Sequence, residues 1–350
     1  MSFFSVKNVA IKGISVCVPH KVEKNAELPL FSKEEAERLV AATGISEKRV
    51  VDDNTTPSDL CTSAARDLLN GIQWSSLDVD CLIYVSTNRD FLQPNTSCII
   101  HNNLKLRDDC FAIDVPCGCP GWIYGLYIIG TMIQNSQMRK GLLLVGDTST
   151  RMNYPGDKST RPLFGDAGSA TAVEFSESAK SMDFSFLTES SGWGEIITVA
   201  GGARNPFRME HLVPTKSRDG YDLRPLDSEV HGLDVFSFSI SKPPAFAESF
   251  LDECNITPES FDLFLCHQAN KYIVDKIRKK LRFPKEKTPL SLNLYGNTSN
   301  VSIPLTMVSQ CSKKIAEKEN NVLALAFGTG LMCGVSKFSV GKCYNNIIEY

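Results

Sequence analysis

The sequence has no Cys-x-x-Cys pair, no Gly-x-x-x-x-Gly-Lys-[Ser/Thr] loop and no complete Gly-x-Gly-x-x-Gly fingerprint. The first absence leaves neither a zinc ribbon nor a thioredoxin site spelled out. The other two remove the usual cradles for nucleotide phosphate and for NAD. No run approaches the roughly 18 apolar residues that span a bilayer. The opening MSFFSVKNVAIKGISVCVP lacks the basic start and continuous apolar stretch of a signal peptide. Neither sign of charge dominates: Lys plus Arg is 37 and Asp plus Glu is 40, a net of −3. That balance argues against wholesale binding to nucleic acid or to an anionic membrane. The expectation is a cytoplasmic protein with reduced thiols, in which the five Asn-x-[Ser/Thr] sequons carry no sugar.

Twelve cysteines are present, too few in so long a chain for a disulfide scaffold. Several lie in apolar runs, such as Cys81 in DCLIYVS and Cys266 in FLCHQ, where a thiol serves as a small buried hydrophobe. A chain of 350 residues suggests two domains, or one built from two similar halves. Short apolar strands alternate with amphipathic stretches, which indicates α/β layering. Strands are expected at Val9–Cys17, Cys81–Ser86, Phe111–Val115, Gly141–Val145, Ala170–Phe175, Leu263–Cys266, Val322–Phe327 and Gly334–Val340. Helices are expected at Ser32–Ala42, Ser58–Leu69 with Ser58 as N-cap, Pro120–Asn135, Pro244–Cys254 and Lys271–Leu281.

An offset of 182 residues carries Asp80-Cys-Leu-Ile-Tyr onto Asp262-Leu-Phe-Leu-Cys, and Leu143-Leu-Val-Gly146 onto Leu325-Ala-Phe-Gly328. The same offset sets the helix opening Pro120-Gly-Trp122 over Ser302-Ile303-Pro304. Similar buried strands explain each match singly but not the shared spacing. The chain is read as a duplicated α/β unit with halves near 1–176 and 177–350, whose junction can gather groups from both.

Asp114-Val-Pro-Cys-Gly-Cys119-Pro-Gly reads as a strand, a tight turn and a helix opening at Pro120, where proline suits the first helical position. Cys119 would cap that helix, beside backbone N–H groups and the positive dipole end, with a lowered thiol pKa. The plain alternative is one more small buried residue. Cys117 sits in the turn and is read as structural. His267 follows the strand Leu263–Cys266, where α/β folds place ligands. Asn297, in Tyr295-Gly-Asn-Thr-Ser, and the Phe327-Gly-Thr-Gly turn each read alone as ordinary turns.

Together these segments resemble the β-ketoacyl-acyl-carrier-protein synthase III family of the thiolase-like superfamily. The likeness rests on Thr43-Gly-Ile45 with Arg49, the DVPCGCPG elbow, Phe164-Gly-Asp-Ala-Gly-Ser-Ala, His267-Gln-Ala-Asn270, Gly296-Asn-Thr298 and the terminal FGTG, and covers nearly the whole chain. It implies an αβαβα five-layered sandwich of two βαβαβ halves, and a Cys-His-Asn enzyme. Cys119 would take the acyl group of an acyl-CoA or acyl-carrier thioester. His267 and Asn297 would bind the thioester carbonyl of malonyl-acyl carrier protein during decarboxylation, and the N–H groups of Cys119 and Thr329 would form an oxyanion hole. No metal or redox cofactor is implied; CoA or phosphopantetheine thioesters enter only as substrates. Asn88-Arg-Asp-Phe91-Leu92-Gln-Pro94 matches the family's segment that crosses a homodimer interface toward the partner's pocket. The sequence departs from the pattern near its CoA grip: Arg38 stands for a tryptophan, Ala42 for an arginine and Lys158 for another arginine.

Lys271 to Lys287 holds eight basic residues against two acidic, a net of +6 that leaves −9 for the rest. A charge run is most simply a solvated face. Its place directly after His267 favours a dock for acidic acyl carrier protein, with Lys271, Lys276, Arg278, Lys279, Lys280 and Arg282 as the docking set. Rival readings are a non-decarboxylating acyltransferase using the same cysteine in a specialised lipid or polysaccharide pathway, and a partner subunit of a heterodimeric condensing enzyme.

Overall fold

The computed structural model describes residues 2–350. Alternating apolar residues and turn signals resolve into two main sheets. The strands, in chain order, are β1 (Phe4–Val6), β2 (Val9–Val18), β3 (Cys81–Val85), β4 (Phe111–Val115), β5 (Lys140–Thr148), β6 (Asp166–Phe175), β7 (Met182–Thr188), β8 (Leu263–Cys266), β9 (Asn320–Gly328), β10 (Met332–Val340) and β11 (Tyr344–Glu349). One sheet runs β11-β2-β6-β5-β3-β4 and the other β1-β7-β10-β9-β8. The main helices are α1 (Lys33–Thr43), α2 (Pro57–Gly71), α3 (Thr96–Leu104), α4 (Gly121–Gln134), α5 (Gly232–Glu253), α6 (Lys271–Lys280) and α7 (Ser302–Gln310).

Period-two alternation assigns each strand face to a different helical layer. Leu143 and Val145 of β5 and Leu265 of β8 point inward to a core shared with Ile123, Leu126 and Ile129 of α4 and Ile303 and Leu305 of α7. Leu142 and Leu144 point outward against Leu60, Ala64 and Leu68 of α2 and Ile100 of α3. Phe264 and Cys266 point the other way, against Phe250 of α5 and Ile273 and Ile277 of α6. The result is five layers, α2/α3, sheet, α4/α7, sheet, α5/α6, as the family resemblance implies.

The two sheets share one plan. β3 pairs parallel with β5 as β8 does with β9, β5 antiparallel with β6 as β9 does with β10, and β6 antiparallel with β2 as β10 does with β7. The first sheet has the extra edge strand β4. We propose a duplication with halves near 1–176 and 177–350, which the terminal strands cross: β1 pairs with β7, and β11 with β2. These two strands escaped the sequence reading, since neither is apolar enough to declare itself.

Three helix boundaries differ from expectation. Helix α2 is capped by Thr56, not Ser58: the Thr56 side chain accepts from Asp59 N and Asp59 returns the bond, while the Ser58 hydroxyl donates to Asp90 Oδ2 at 2.6 Å. Helix α5 begins at Gly232, twelve residues before Pro244, and carries Pro243 and Pro244 buried inside it. The prolines withhold N–H groups from one turn, yet the helix continues, with Ser239 and Ser241 hydroxyls bonding carbonyls one turn back. Helix α4 begins at Gly121 with Pro120 as its N-cap, which sets Cys119 one residue outside the cap.

Trp122 is the largest fully buried side chain. It packs 5.6 Å from Phe338 across the layers and donates from Nε1 to Thr171 Oγ1 at 3.1 Å. Trp122→Ala leaves a cavity and an unpaired hydroxyl, for an expected loss of about 3–5 kcal/mol. Chemical denaturation checks this; a change below about 1 kcal/mol would mean that the central layer is not the mechanical core.

Candidate active site

Four loops meet at the carboxyl ends of the strands. Cys119 follows β4, His267 follows β8, the Gly328-Thr329 turn follows β9, and Asn297 precedes α7. Cys119, His267 and Asn297 line a single cavity of about 230 Å³, with Phe164, Asn270 and Phe327. A second cavity of about 290 Å³ also reaches Cys119 but not His267 or Asn297, and has Thr329, Ser299 and Asn153 in its wall. The nucleophile candidate therefore stands where two chambers join.

Asn297 is fixed through its backbone. Gly165 N donates to Asn297 O at 3.0 Å, and Asn297 N donates to Leu163 O at 2.8 Å. Gly296 makes this approach possible: its φ is +65°, and a Cβ there would meet Leu163 O at 2.7 Å. The Asn297 side-chain Oδ1 accepts from Ser299 N at 2.9 Å, which commits the oxygen and leaves the amide N–H₂ as the free group.

His267 is buried, and its ring meets Phe327 edge-on at 5.5 Å. Burial pulls its pKa down to about 3, so the imidazole is neutral. Its Nδ1 lies 2.8 Å from Ser302 Oγ. Ser302 Oγ has no other hydrogen-bond partner among the described residues, so its O–H is satisfied only by donating to Nδ1. That fixes the proton on Nε2.

Cys119 does not have the lowered pKa expected from its place near a helix start. Burial pushes the thiol up to about 12, outweighing the dipole end of a helix that starts two residues away. The Ser299 hydroxyl lies 3.7 Å from Sγ. Asp147 lies fully buried behind it; its Oδ1 accepts from Ser86 and Thr87, while Oδ2 has no partner. Burial raises the Asp147 carboxyl and the Ser299 hydroxyl lowers it in part. Gly328 lets the β9 turn lie against the thiol, since a Cβ there would sit 2.8 Å from Cys119 Cβ and 2.9 Å from Sγ. Among the described residues, neither Cys119 N nor Thr329 N donates to another backbone carbonyl. Cys117 is buried in the central core.

The basic segment is only partly free. Lys271 and Arg278 both pair with Asp275, at 2.8 and 3.1 Å, and Arg278 also donates to Phe283 O. Lys276, Lys279, Lys280 and Arg282 are exposed and form no ion pair among the described residues, so Arg278 belongs to the helix more than to a dock. Lys158 holds Glu35 at 3.8 Å and lies over the Phe31 ring. Phe91 and Leu92 are 62% and 83% exposed. Among the described residues, no group of three or more His, Cys, Asp or Glu side chains is placed to hold a metal ion, and no helix is long and apolar enough to cross a membrane. Sequence reading missed Ser299, Ser302 and Asp147; the first two lie in the Asn297-Thr-Ser-Asn-Val-Ser302 run, and Asp147 directly follows the repeated Gly146.

Two family models match the chain: 3-oxoacyl-[acyl-carrier-protein] synthase III over residues 113–192 and its C-terminal part over 251–339. The β-ketoacyl-[acyl-carrier-protein] synthase III of Syntrophomonas wolfei is 31% identical over 329 residues, 93% of this chain and 96% of that protein. The one from Caldanaerobacter subterraneus subsp. tengcongensis is 30% identical over 322 residues, 92% and 94%. The crystal structure of a 3-oxoacyl-(acyl-carrier protein) synthase from Burkholderia xenovorans superposes with a TM-score of 0.93 at 29% identity, over 100% of this chain and 99% of that one. The fold is thiolase-like.

Because the Cys119 thiol is held near pKa 12, its alkylation by iodoacetamide should rise about tenfold per pH unit from 7 to 10 without levelling. A plateau below pH 9 would show that the site stabilises a thiolate.

Proposed function

The chain belongs to the 3-oxoacyl-acyl-carrier-protein synthase III family of condensing acyltransferases, and on that footing we propose how its own residues share the reaction. Cys119 attacks the carbonyl of an acyl thioester of CoA or of an acyl carrier protein. The sulfur–carbon bond forms, the donor thiol leaves with the proton, and the acyl group stays on the enzyme. Its chain lies in the cavity lined by Ser299 and Thr329, and the N–H groups of Cys119 and Thr329 face the tetrahedral oxygen.

Malonyl-acyl carrier protein then enters the other cavity. His267 Nε2–H and the Asn297 amide donate to its thioester carbonyl. Negative charge gathers on that oxygen as carbon dioxide departs, and donors already aimed in a dry site stabilise it without reorganising. The resulting carbanion attacks the acyl-cysteine, forms the carbon–carbon bond and expels the Cys119 sulfur, giving a 3-oxoacyl-carrier product. The observation that carries this assignment is the shared cavity: a nucleophile and two neutral donors border one chamber, and only the nucleophile borders the second. A neutral His267 suits a group that donates a hydrogen bond to the thioester oxygen and keeps its proton.

Exposed Lys276, Lys279, Lys280 and Arg282 support docking of an acidic carrier, which their charge would steer. The exposed Phe91–Leu92 segment and the edge strand β4, with Phe111 and Ile113 exposed, support a homodimer, because unpaired strand edges invite pairing.

Intact-mass analysis after incubation with acyl thioesters should show one acyl adduct, mapped to Cys119; an adduct at Cys117 would overturn the assignment. His267→Ala and Asn297→Ala should keep that adduct while slowing carbon dioxide release about 10²–10³-fold each. Unchanged decarboxylation in both would remove them from the mechanism. Replacing Lys276, Lys279 and Lys280 by Glu should raise KM for the carrier substrate several-fold and flatten its salt dependence, while acylation from a small thioester such as acetyl-N-acetylcysteamine stays unaltered. In light scattering the protein should have twice the 38.6 kDa of one chain.

A further inference from the structure

The reaction as assigned leaves one buried carboxyl idle. Asp147, near the end of β5, is sealed from solvent. Its Oδ1 accepts from Ser86 Oγ at 3.0 Å, Thr87 N at 2.9 Å and Thr87 Oγ1 at 2.8 Å, while Oδ2 has no partner. No lysine or arginine pairs with it among the described residues, and a sealed carboxylate oxygen with nothing to accept is costly. The Ser299 hydroxyl stands between this carboxyl and the thiol. It lies 3.7 Å from Cys119 Sγ. Burial raises the Asp147 carboxyl, and the Ser299 hydroxyl is first among the donors that hold it back, ahead of Thr87 and Ser86. At rest that hydroxyl does not close a full hydrogen bond on Oδ2; such bonds often tighten only when substrate is bound. Ser299 is held there in a left-handed conformation, φ +51°, that a non-glycine residue adopts only under constraint. The constraint is visible: Ser299 N donates to Asn297 Oδ1 at 2.9 Å, and the next residue, Asn300, donates from Nδ2 to Val85 O at 3.1 Å. The turn is thus pinned to the strand end that also supplies Ser86 and Thr87 to Asp147.

Resting on the assignment of Cys119 as the nucleophile, we propose that Ser299 and Asp147 form a proton relay for its acylation, with Ser299 touching the thiol and Asp147 acting through Ser299. As Sγ bonds to the thioester carbon and the carbonyl electron pair moves onto oxygen, the thiol proton passes to Ser299 Oγ and the Ser299 proton to Asp147 Oδ2. When the tetrahedral intermediate collapses, the bond to the donor sulfur breaks. The proton returns through Ser299 to that sulfur, so the donor leaves as a thiol and Asp147 is again ionised. A thiol held near pKa 12 is almost wholly protonated at neutral pH, so attack that sheds the proton on the way outruns attack that waits for free thiolate. The titratable groups around the carboxyl are Cys61 of α2, Tyr84 of β3, Cys117 and Cys119. Burial pushes each of them up and keeps it neutral, so none competes with Asp147 as the base.

The test follows single-turnover acylation of Cys119 in the full-length protein by acetyl- and butyryl-N-acetylcysteamine, read by intact mass beside alkylation by iodoacetamide. Iodide leaves without a proton, so alkylation tracks free thiolate and keeps rising with pH. Acylation through the relay should instead level once the carboxyl is ionised, by about pH 8. Two wild-type curves of the same shape, both climbing or both levelling, overturn the proposal. Asp147→Asn should slow acylation about 10²-fold at neutral pH. Ser299→Gly, which suits the left-handed turn, should do the same, and the double variant should be no slower than the slower single one, because both break one path. The sign separates a base from a bystander. Burial is the main lift on the Cys119 thiol and the Asp147 charge adds to it, so a carboxyl that takes no proton would leave Asp147→Asn faster. Acylation in Asp147→Asn that matches or exceeds the wild type overturns the relay, as do losses that multiply in the double variant. The wild-type curves decide even where a variant does not fold. A protein that fails these tests while still carrying the acyl group on Cys119 loses only this inference. One that forms no adduct at Cys119 with any acyl thioester loses the proposed function.

Discussion

Two backbone hydrogen bonds join Leu163–Gly165 of the first half to Asn297 of the second, and the site depends on them. They fix Asn297, whose side chain then turns its oxygen to Ser299 N and its amide to the cavity. They also bring the loop after β5 against the turn before α7, so that Phe164 walls both chambers. The crowding there is severe enough to restrict side chains on both partners. A Cβ on Gly165 would lie 2.2 Å from Tyr295 O, and the Cβ of the buried Lys48 sits 3.3 Å from the position of each added carbon on Gly165 and Gly296. Lys48 is itself held by Glu23 and Asn25, a paired charge where an unpaired one would be expelled. The junction is thus packed before it is catalytic.

Water exclusion at this junction sets every protonation state that the chemistry uses. The same desolvation raises the Cys119 thiol, lowers His267 and raises Asp147, because burial penalises whichever form is charged. A neutral imidazole with its proton on Nε2 and a neutral thiol give a site without net positive charge. The electrostatic work then falls on aimed dipoles, which are stronger in a dry cavity than in water. Ser302 is decisive here through its single hydrogen bond, since the other tautomer would present a lone pair to the developing negative oxygen.

Much of this was legible in the sequence, and the illegible part has a consistent cause. Buried strands declare themselves by runs such as Leu142–Val145, and the 182-residue offset follows from strands that must occupy equivalent places in two sheets. Cys119, His267 and Asn297 each sit beside a strand end or turn that local residues specify. The partners Ser302 and Asp147 do not, because their roles come from contacts between segments distant in sequence: Ser302 on α7 meets His267 after β8. The thiol pKa was misread for the same reason. A helix start is a local pattern, but burial is a property of everything that packs around it. Helix α5 was cut short because two adjacent prolines ordinarily end a helix, whereas packing against the second sheet outweighs their missing bonds. The terminal strands β1 and β11 cross between the halves, which no local pattern announces.

The proposed duplication accounts for the two chambers of the site. Each half brings strand ends to the junction, but only the first carries a cysteine there and only the second carries histidine and asparagine. On the proposed assignment, placing the cysteine in one half and the histidine and asparagine in the other separates the two half-reactions in space while Cys119 remains common to both. One chamber needs donors for a carbonyl that becomes an oxyanion. The other needs only to hold a chain still, and is free to vary its wall. Asn153, directly after the short helix Ser149–Met152 and outside the repeated strands, lies on that variable wall, so a change in the chain held there can arise without disturbing the bonds that fix Asn297 or the tautomer of His267.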